Sequence, residues 1–244
     1  MKLKAVLFDL DGTLLPMADQ DAFIQYYFSR LARHLVPHGY DPKALIGGIW
    51  QGVSYIMKND GTRNNEDAFW HGFSSVFGEK GREDEPYFAE FYEQHFDEAQ
   101  IMCGYNEDAA RSVREIRKMG LRTALATNPV FPEIATRKRI GWAGLSPEDF
   151  EFYTTYENSS FCKPSLDYYR EVLDRMGISP DEALMVGNDV ADDMVAEKLG
   201  MRVFLLTDCL INAKDADISI YPNGGFDDLL AYIRIQTEET NDGE

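Results

Sequence analysis

Four short stretches of the chain are continuously apolar and end in polar or glycine-containing turns: Ala5-Val6-Leu7-Phe8, Thr123-Ala124-Leu125-Ala126, Ala183-Leu184-Met185-Val186 and Val203-Phe204-Leu205-Leu206. Runs of this length with no alternation are the pattern of strands buried on both faces, as in a parallel sheet. Between them lie segments of helical period. Asp108 to Met119 carries Val113, Ile116 and Met119 on one face and is followed by Gly120; Ser165 to Met176 is followed by Gly177; Ala191 to Leu199 is closed by Gly200. Ser179-Pro180-Asp181-Glu182 has capping-box form with proline at the first helical position, which predicts a short helical turn before the third strand. A last strand is expected at Ile218-Ser219-Ile220 and a closing helix over Phe226 to Ile235. Strand alternates with helix, so the pattern predicts an α/β fold with a doubly wound parallel sheet.

From about Ala18 to Met102 this rhythm stops. The segment is aromatic-rich at helical spacing, with stripes at Phe23, Tyr26, Tyr27 and Leu31, at Phe69, Phe73 and Phe77, and at Phe88, Phe91, Tyr92 and Phe96. It reads as a helical insertion. The expected organisation is a core domain of residues 1–17 and 103–236, an inserted α-helical cap of residues 18–102, and an acidic tail of residues 237–244.

Composition narrows the function classes. At 244 residues, with 44% hydrophobic residues, the chain is long enough for one core carrying a smaller inserted unit. Its 42 acidic against 24 basic residues leave a net charge of −18, a field that repels nucleic acid and anionic membrane surfaces. Nucleic-acid and membrane partners are therefore not expected. A small anion can still bind where a metal ion, a lysine and backbone N–H groups dominate locally. Cys103, Cys162 and Cys209 are odd in number and lack metal-ligand spacing, and the N-terminal apolar run is too short for a signal peptide. A cytoplasmic protein is expected, and a monomer, since no sustained heptad appears.

The residues suited to chemistry fall at strand ends. Asp9-Leu10-Asp11-Gly12-Thr13 follows the first strand, placing two carboxylates at i and i+2 where open α/β sheets bind ligands. A carboxylate that attacks phosphorus needs a cation to offset repulsion and a second acid to protonate the leaving oxygen. A calcium loop does not fit, because its glycine belongs at the sixth position and Gly12 is fourth. Ala126-Thr127-Asn128-Pro129 brings a hydroxyl and an amide to the second strand end, and Phe161-Cys162-Lys163-Pro164-Ser165 sets a lysine just before a helix N-terminus. Gly187-Asn188-Asp189-Val190-Ala191-Asp192-Asp193 adds an acidic cluster at the third strand end; oxygen ligands at two such edges suit a hard cation such as Mg²⁺.

In this order the four motifs resemble those of the haloacid dehalogenase superfamily, in its phosphatase branch, over roughly residues 1–17 and 104–235. The resemblance implies a Rossmann-like core with a helical cap between the first two motifs. It implies Asp9 as nucleophile, Asp11 as general acid/base, Lys163 as the charge-stabilising lysine, Thr127 and Asn128 on the phosphate, and Asp9, Asp11 and Asp189 around Mg²⁺, with Asp193 orienting the lysine. The substrate expected is a small phosphorylated metabolite. Family members usually carry Gly-Asp where this chain has Gly187-Asn188, so either Asn188 uses its amide oxygen there or the loop presents Asp189; the anion favours Asp189. Relatives that act as true dehalogenases lack an acid corresponding to Asp11. A phosphoglucomutase-like transfer and a non-catalytic ligand-binding protein share the same motifs and remain open at this point. In the cap, Arg30, Arg33, Lys58, Arg63, Trp50, Trp70 and His71 are positions from which a leaving group could be read.

Overall fold

The computed structural model describes residues 2–238. Its centre is a sheet of six parallel strands in the order β3-β2-β1-β4-β5-β6, with β1 Ala5–Phe8, β2 Arg122–Leu125, β3 Phe152–Tyr153, β4 Ala183–Gly187, β5 Arg202–Leu206 and β6 Asn223–Gly224. The apolar runs form the four central strands because both faces are covered. One face packs, through Val6, Phe8, Leu184, Val186 and Phe204, against α6 (Glu107–Lys118), α7 (Glu133–Trp142) and α9 (Phe226–Glu238). The other packs, through Ala5, Leu7, Met185, Val203 and Leu205, against α8 (Leu166–Met176) and a 3₁₀ segment at Met194–Leu199. This is the doubly wound α/β architecture, and the order reverses at β1, which pairs with β2 on one side and β4 on the other. Phe8 lies level with Leu125 and Val186, so the chain just after β1 emerges at the centre of the carboxyl edge, where such folds form their crevice.

The chain leaves this core at Pro16 and returns at Gly104, whose N–H donates to the Pro16 carbonyl at 2.7 Å. Between these points lie α1 (Gln20–Leu35), α2 (Pro42–Met57), α3 (Asn65–Phe77), α4 (Glu79–Glu83), α5 (Glu85–Gln94) and a 3₁₀ segment at Phe96–Met102. Asp19, Asp41 and Asn64 cap the first three of these helices through side-chain oxygens that accept N–H bonds. The aromatic stripes meet as predicted by their spacing: Phe23, Tyr27, Leu31, Phe73, Phe88, Phe91 and Phe96 are buried together. The insertion is tied down at two places. Asn65, fully buried at the start of α3, donates to the carbonyls of Pro129 and Phe161 at 3.3 and 3.0 Å, while Lys138 on α7 pairs with Asp97 at 2.6 Å.

Several elements differ from the sequence reading. Ile218–Ile220 is a 3₁₀ turn rather than a strand, because the Asp217 carboxylate takes the Ser219 N–H at 2.9 Å and Ile220 faces solvent; the sheet is completed by Asn223–Gly224. Ala191 to Leu199 is a turn followed by 3₁₀ helix, since Asp189 draws the N–H groups of Ala191 and Asp192 into a tight turn. Met119 sits at the C-cap of α6 and is partly exposed. The closing helix continues to Glu238, so the first two residues of the acidic tail are helical; residues 239–244 lie outside the described residues. Strand β3 and helix α7 have no counterpart in the sequence reading.

Candidate active site

Asp9 is the first residue beyond β1, its N–H bonded to the Val186 carbonyl at 2.9 Å and the preceding Phe8 carbonyl to the Ala126 N–H at 2.7 Å. Neighbouring strands thus hold its backbone on both sides. The carboxylate is nearly buried: Oδ1 accepts from Lys163 Nζ at 2.7 Å, and Oδ2 lies 3.1 Å from the Thr13 hydroxyl. Lys163 is itself 2% exposed and also donates to Asp193 Oδ1 at 2.6 Å. Burial works against its ammonium, but the Asp193 and Asp9 carboxylates outweigh that and hold the lysine well above its ordinary pKa. Asp193 is raised above the usual carboxylate range by burial, against the opposing pull of Lys163. Its second oxygen accepts the Asp189 N–H at 3.0 Å, so Asp193 fixes both the lysine and the loop after β4.

Two glycines make this packing possible. Gly12 has φ of +85°, and a Cβ there would collide with the Asn188 amide; a Cβ on Gly187 would collide with the Asp193 carboxylate. The Asn188 amide accordingly fits between Gly12 and Thr13, accepting from the Thr13 hydroxyl at 2.9 Å and donating to the Cys209 carbonyl at 2.6 Å. Asp189 is more exposed, with Oδ1 taking the N–H groups of Ala191 and Asp192 at 2.7 and 3.0 Å.

Asp11 forms an ion pair through Oδ2 with Arg139, while its Oδ1 is buried with no hydrogen-bond partner. Burial raises its pKa, with Arg139 pulling the other way and Asp9 adding to the rise. Arg139 is the residue that sequence reasoning missed. It is 1% exposed, projects from α7, and lies with its guanidinium 4.4 Å from the centre of the Phe131 ring. A signal was present: Ala135, Thr136, Arg139, Ile140 and Trp142 share the buried stripe of α7, so a charged residue occupies a position whose neighbours are mostly apolar.

Thr127 and Asn128 follow β2. The Thr127 carbonyl accepts from Thr154 and Tyr168 at 2.6 and 2.8 Å, and Asn128 Oδ1 accepts the Lys163 N–H at 3.3 Å, which joins the second and third motif loops. Asp9, Asp11, Thr127, Asn128, Lys163, Asn188, Asp189 and Asp193 all line one cleft of about 170 Å³. Of the cap positions singled out above, Trp50 and Trp70 line a neighbouring cavity, whereas Lys58, Arg63 and His71 line a separate surface depression and Arg30 pairs with Glu98 at 3.1 Å.

The donors offered to a metal are oxygens: the orphaned Asp11 Oδ1, the Asp9 and Asp189 carboxylates and the Asn188 amide. That donor chemistry suits Mg²⁺, which takes one or two carboxylates and completes its shell with water or substrate oxygens. Among the described residues no three His, Cys, Asp or Glu side chains stand together as a ready-made metal cluster.

The chain is 23% identical over 202 residues, 83% of its length and 82% of the other protein's, to the pyrophosphatase PpaX of Bacillus cereus (strain AH820). Its fold is similar to a HAD phosphatase from Thermococcus onnurineus, with TM-score 0.56 and 18% identity over 95% of this chain and 98% of that one. It is also similar to a 2-haloacid dehalogenase from Pseudomonas syringae pv. Tomato DC3000, with TM-score 0.63 and 20% identity over 96% and 99%. A family model described as haloacid dehalogenase-like hydrolase matches residues 3–200. The chain belongs to the haloacid dehalogenase-like hydrolase family.

Proposed function

We propose that this hydrolase is a Mg²⁺-dependent phosphatase that cleaves a small phosphate monoester through an aspartyl-phosphate on Asp9. The observation that carries the proposal is the second acid. Asp11 opens onto the same cleft as Asp9, and burial raises its pKa against the pull of Arg139, toward the range in which a carboxyl can pass a proton to a leaving alkoxide and take one from water. A dehalogenation has no such leaving oxygen, so an acid at this place serves phosphoryl transfer.

In this reading Asp9 attacks phosphorus and the ester oxygen departs with the proton from Asp11. Asp11, now a carboxylate, takes a proton from the water that attacks the phosphorus of the aspartyl-phosphate, releasing inorganic phosphate and restoring Asp9. Lys163 neutralises charge on the equatorial oxygens, kept in place by Asp193, and the Thr127 hydroxyl and Asn128 amide hold the phosphoryl group. Asp9, Asp189 and Asn188 would hold Mg²⁺, leaving the Asp11 carboxyl for the proton, and the ion when bound would supply positive charge beside the nucleophile and the phosphate. The relative PpaX is a pyrophosphatase, a phosphoryl transfer to water of the same chemical kind.

The test is phosphate release from a panel of phosphorylated metabolites with and without Mg²⁺, in the wild type and in Asp9→Asn. Metal-dependent release that disappears in the variant is the expected outcome. Release retained by the folded variant would remove Asp9 from the mechanism.

A further inference from the structure

Beside the polar cleft lies a second, larger space of about 400 Å³ between the cap helices and the segment after β2. The two share walls at Ile24, Asn128 and Phe131, so a leaving group too long for the polar cleft has an adjoining space to enter. The chemistry of the larger space is distinct. Phe28 from α1, Trp50, Val53 and Met57 from α2, Phe69 from α3 and Phe88 from α5 form its walls, with Trp50 edge-on to Phe28 at 5.5 Å. Trp50 and Met57 are each about half exposed, 50% and 48%, although they border a cavity whose walls include the buried Phe28, Phe69, Trp70 and Phe88. An apolar rim of that kind marks a surface that is covered by a ligand.

Charge sharpens the choice of occupant. No Lys, Arg or His is among the described residues lining the space, so a second phosphate or a carboxylate on the leaving group would find no counter-charge there. It would instead meet Glu66, Glu85 and Glu157. Those three acids are already engaged: Arg82 lies 3.7 Å from Glu66 and 3.3 Å from Glu85, and Glu157 accepts the Glu133 N–H at 2.8 and 3.0 Å. Arg82 serves two of the acids and Glu157 meets a backbone N–H, so the rim keeps an excess of negative charge, which repels anions.

Building on the phosphatase reading, we infer that the cavity is the leaving-group subsite and that it selects a neutral, apolar alcohol, with an aromatic ring as the best fit, against anionic leaving groups. Flat aromatic walls offer edge and face contacts to a ring, and a cavity of this size holds one or two of them.

The test compares kcat/KM for phosphate esters of alcohols, so that leaving-group basicity changes little: 2-phenylethyl, ethyl and glyceryl phosphates, with phosphoglycolate and phosphocholine as charged substrates. Binding of a non-hydrolysable ligand, naphthylmethylphosphonate, is followed separately through tryptophan fluorescence. Phenylethyl phosphate is expected to exceed ethyl phosphate and the charged substrates on the order of 10- to 100-fold. Val53→Trp, which fills the cavity, should bring phenylethyl phosphate turnover down to the level of ethyl phosphate turnover in the same variant; Ala89→Phe does the same from an exposed position on α5 should the first variant fail to fold. Better turnover of an anionic or cationic substrate overturns the inference and leaves the phosphatase reading intact. Absence of all turnover, with phosphonate binding that Val53→Trp or Ala89→Phe abolishes, upholds the cavity and rejects the phosphatase reading. Absence of both turnover and binding overturns the subsite.

Discussion

Removing the carboxylate of Asp11 should destabilise the protein far more than neutralising Asp9, although both lie in the same cleft. Arg139 is 1% exposed and has Asp11 as its carboxylate partner; its remaining polar contacts, to the Ala135 carbonyl and the Thr136 hydroxyl, are long at 3.4 Å each. Asp11→Ala therefore leaves a guanidinium buried without a counter-charge, a loss of ~3–5 kcal/mol when a buried pair is broken from one side. The Asp11 side chain is 23% exposed and borders the cleft, so water can partly replace it and the lower figure applies, ~3 kcal/mol. For a chain of this size that lowers Tm by roughly 6–12 °C. Asp9→Asn differs because Lys163 keeps Asp193 at 2.6 Å and the new amide oxygen can still meet Thr13; its cost should stay within about 1 kcal/mol. Thermal and urea unfolding of the two variants, with Asp11→Ala/Arg139→Met as a third, measures the contrast, and the double variant should recover most of the loss because the uncompensated charge is gone. Equal stability of Asp11→Ala and Asp9→Asn, or a double variant no better than the single one, would refute the role assigned to Arg139.

Further outcomes follow from the same geometry. Gly187→Ala places a methyl group against the Asp193 carboxylate and should cost ~1–3 kcal/mol while lowering turnover through a displaced Lys163; unchanged unfolding would show that the loop adapts. Asp189→Ala should raise the Mg²⁺ concentration needed for half-maximal activity on the order of 10- to 100-fold, more than Asn188→Ala does, as read by a metal titration; the reverse ranking would move the fourth-motif donor to Asn188. Glu182, bonded to Lys4 and taking the Ser179 N–H, has its pKa lowered to about 2. Its folded-state pKa is depressed, so its contribution to stability is present above about pH 4.5 and lost as pH falls toward 2, and Glu182→Gln should flatten the stability profile only in that window. Asn65→Ala removes the donor that ties α3 to the Pro129 and Phe161 carbonyls and should make the cap segment more open to hydrogen exchange, with a global cost of ~1–3 kcal/mol.

The central strands and their chemical residues were legible because each combined a buried apolar run with a polar end, and a parallel sheet gathers such ends along one edge. That is why Asp9, Thr127 and Asp189, up to 180 positions apart in sequence, come to line one cleft, which Lys163 joins from the loop before α8. What escaped lacked that contrast. β3 is two residues long, at the sheet's edge, and too short for any period to show. In α7 the run Arg137-Lys138-Arg139 looks like a solvated face, yet Arg139 is buried because Asp11, 128 positions earlier, supplies its counter-charge. The turn after Asp189 follows from one carboxylate oxygen taking two N–H bonds, a local competition that helical spacing at Ala191 to Leu199 does not reveal. The aromatic stripes of the insertion announced helices but not the cavity they enclose, since cavity shape depends on how α1, α2, α3 and α5 cross rather than on the period of each.

The most direct measurement for the phosphatase account is the mass of the peptide containing Asp9 after acid quench during turnover of a good phosphate ester with Mg²⁺. The account predicts a phosphoryl adduct on Asp9 that appears within the first turnover, decays as phosphate is released, and accumulates when Asp11→Asn slows its hydrolysis. Steady release of phosphate with no adduct on Asp9 at any time, in the wild type or in Asp11→Asn, would contradict it.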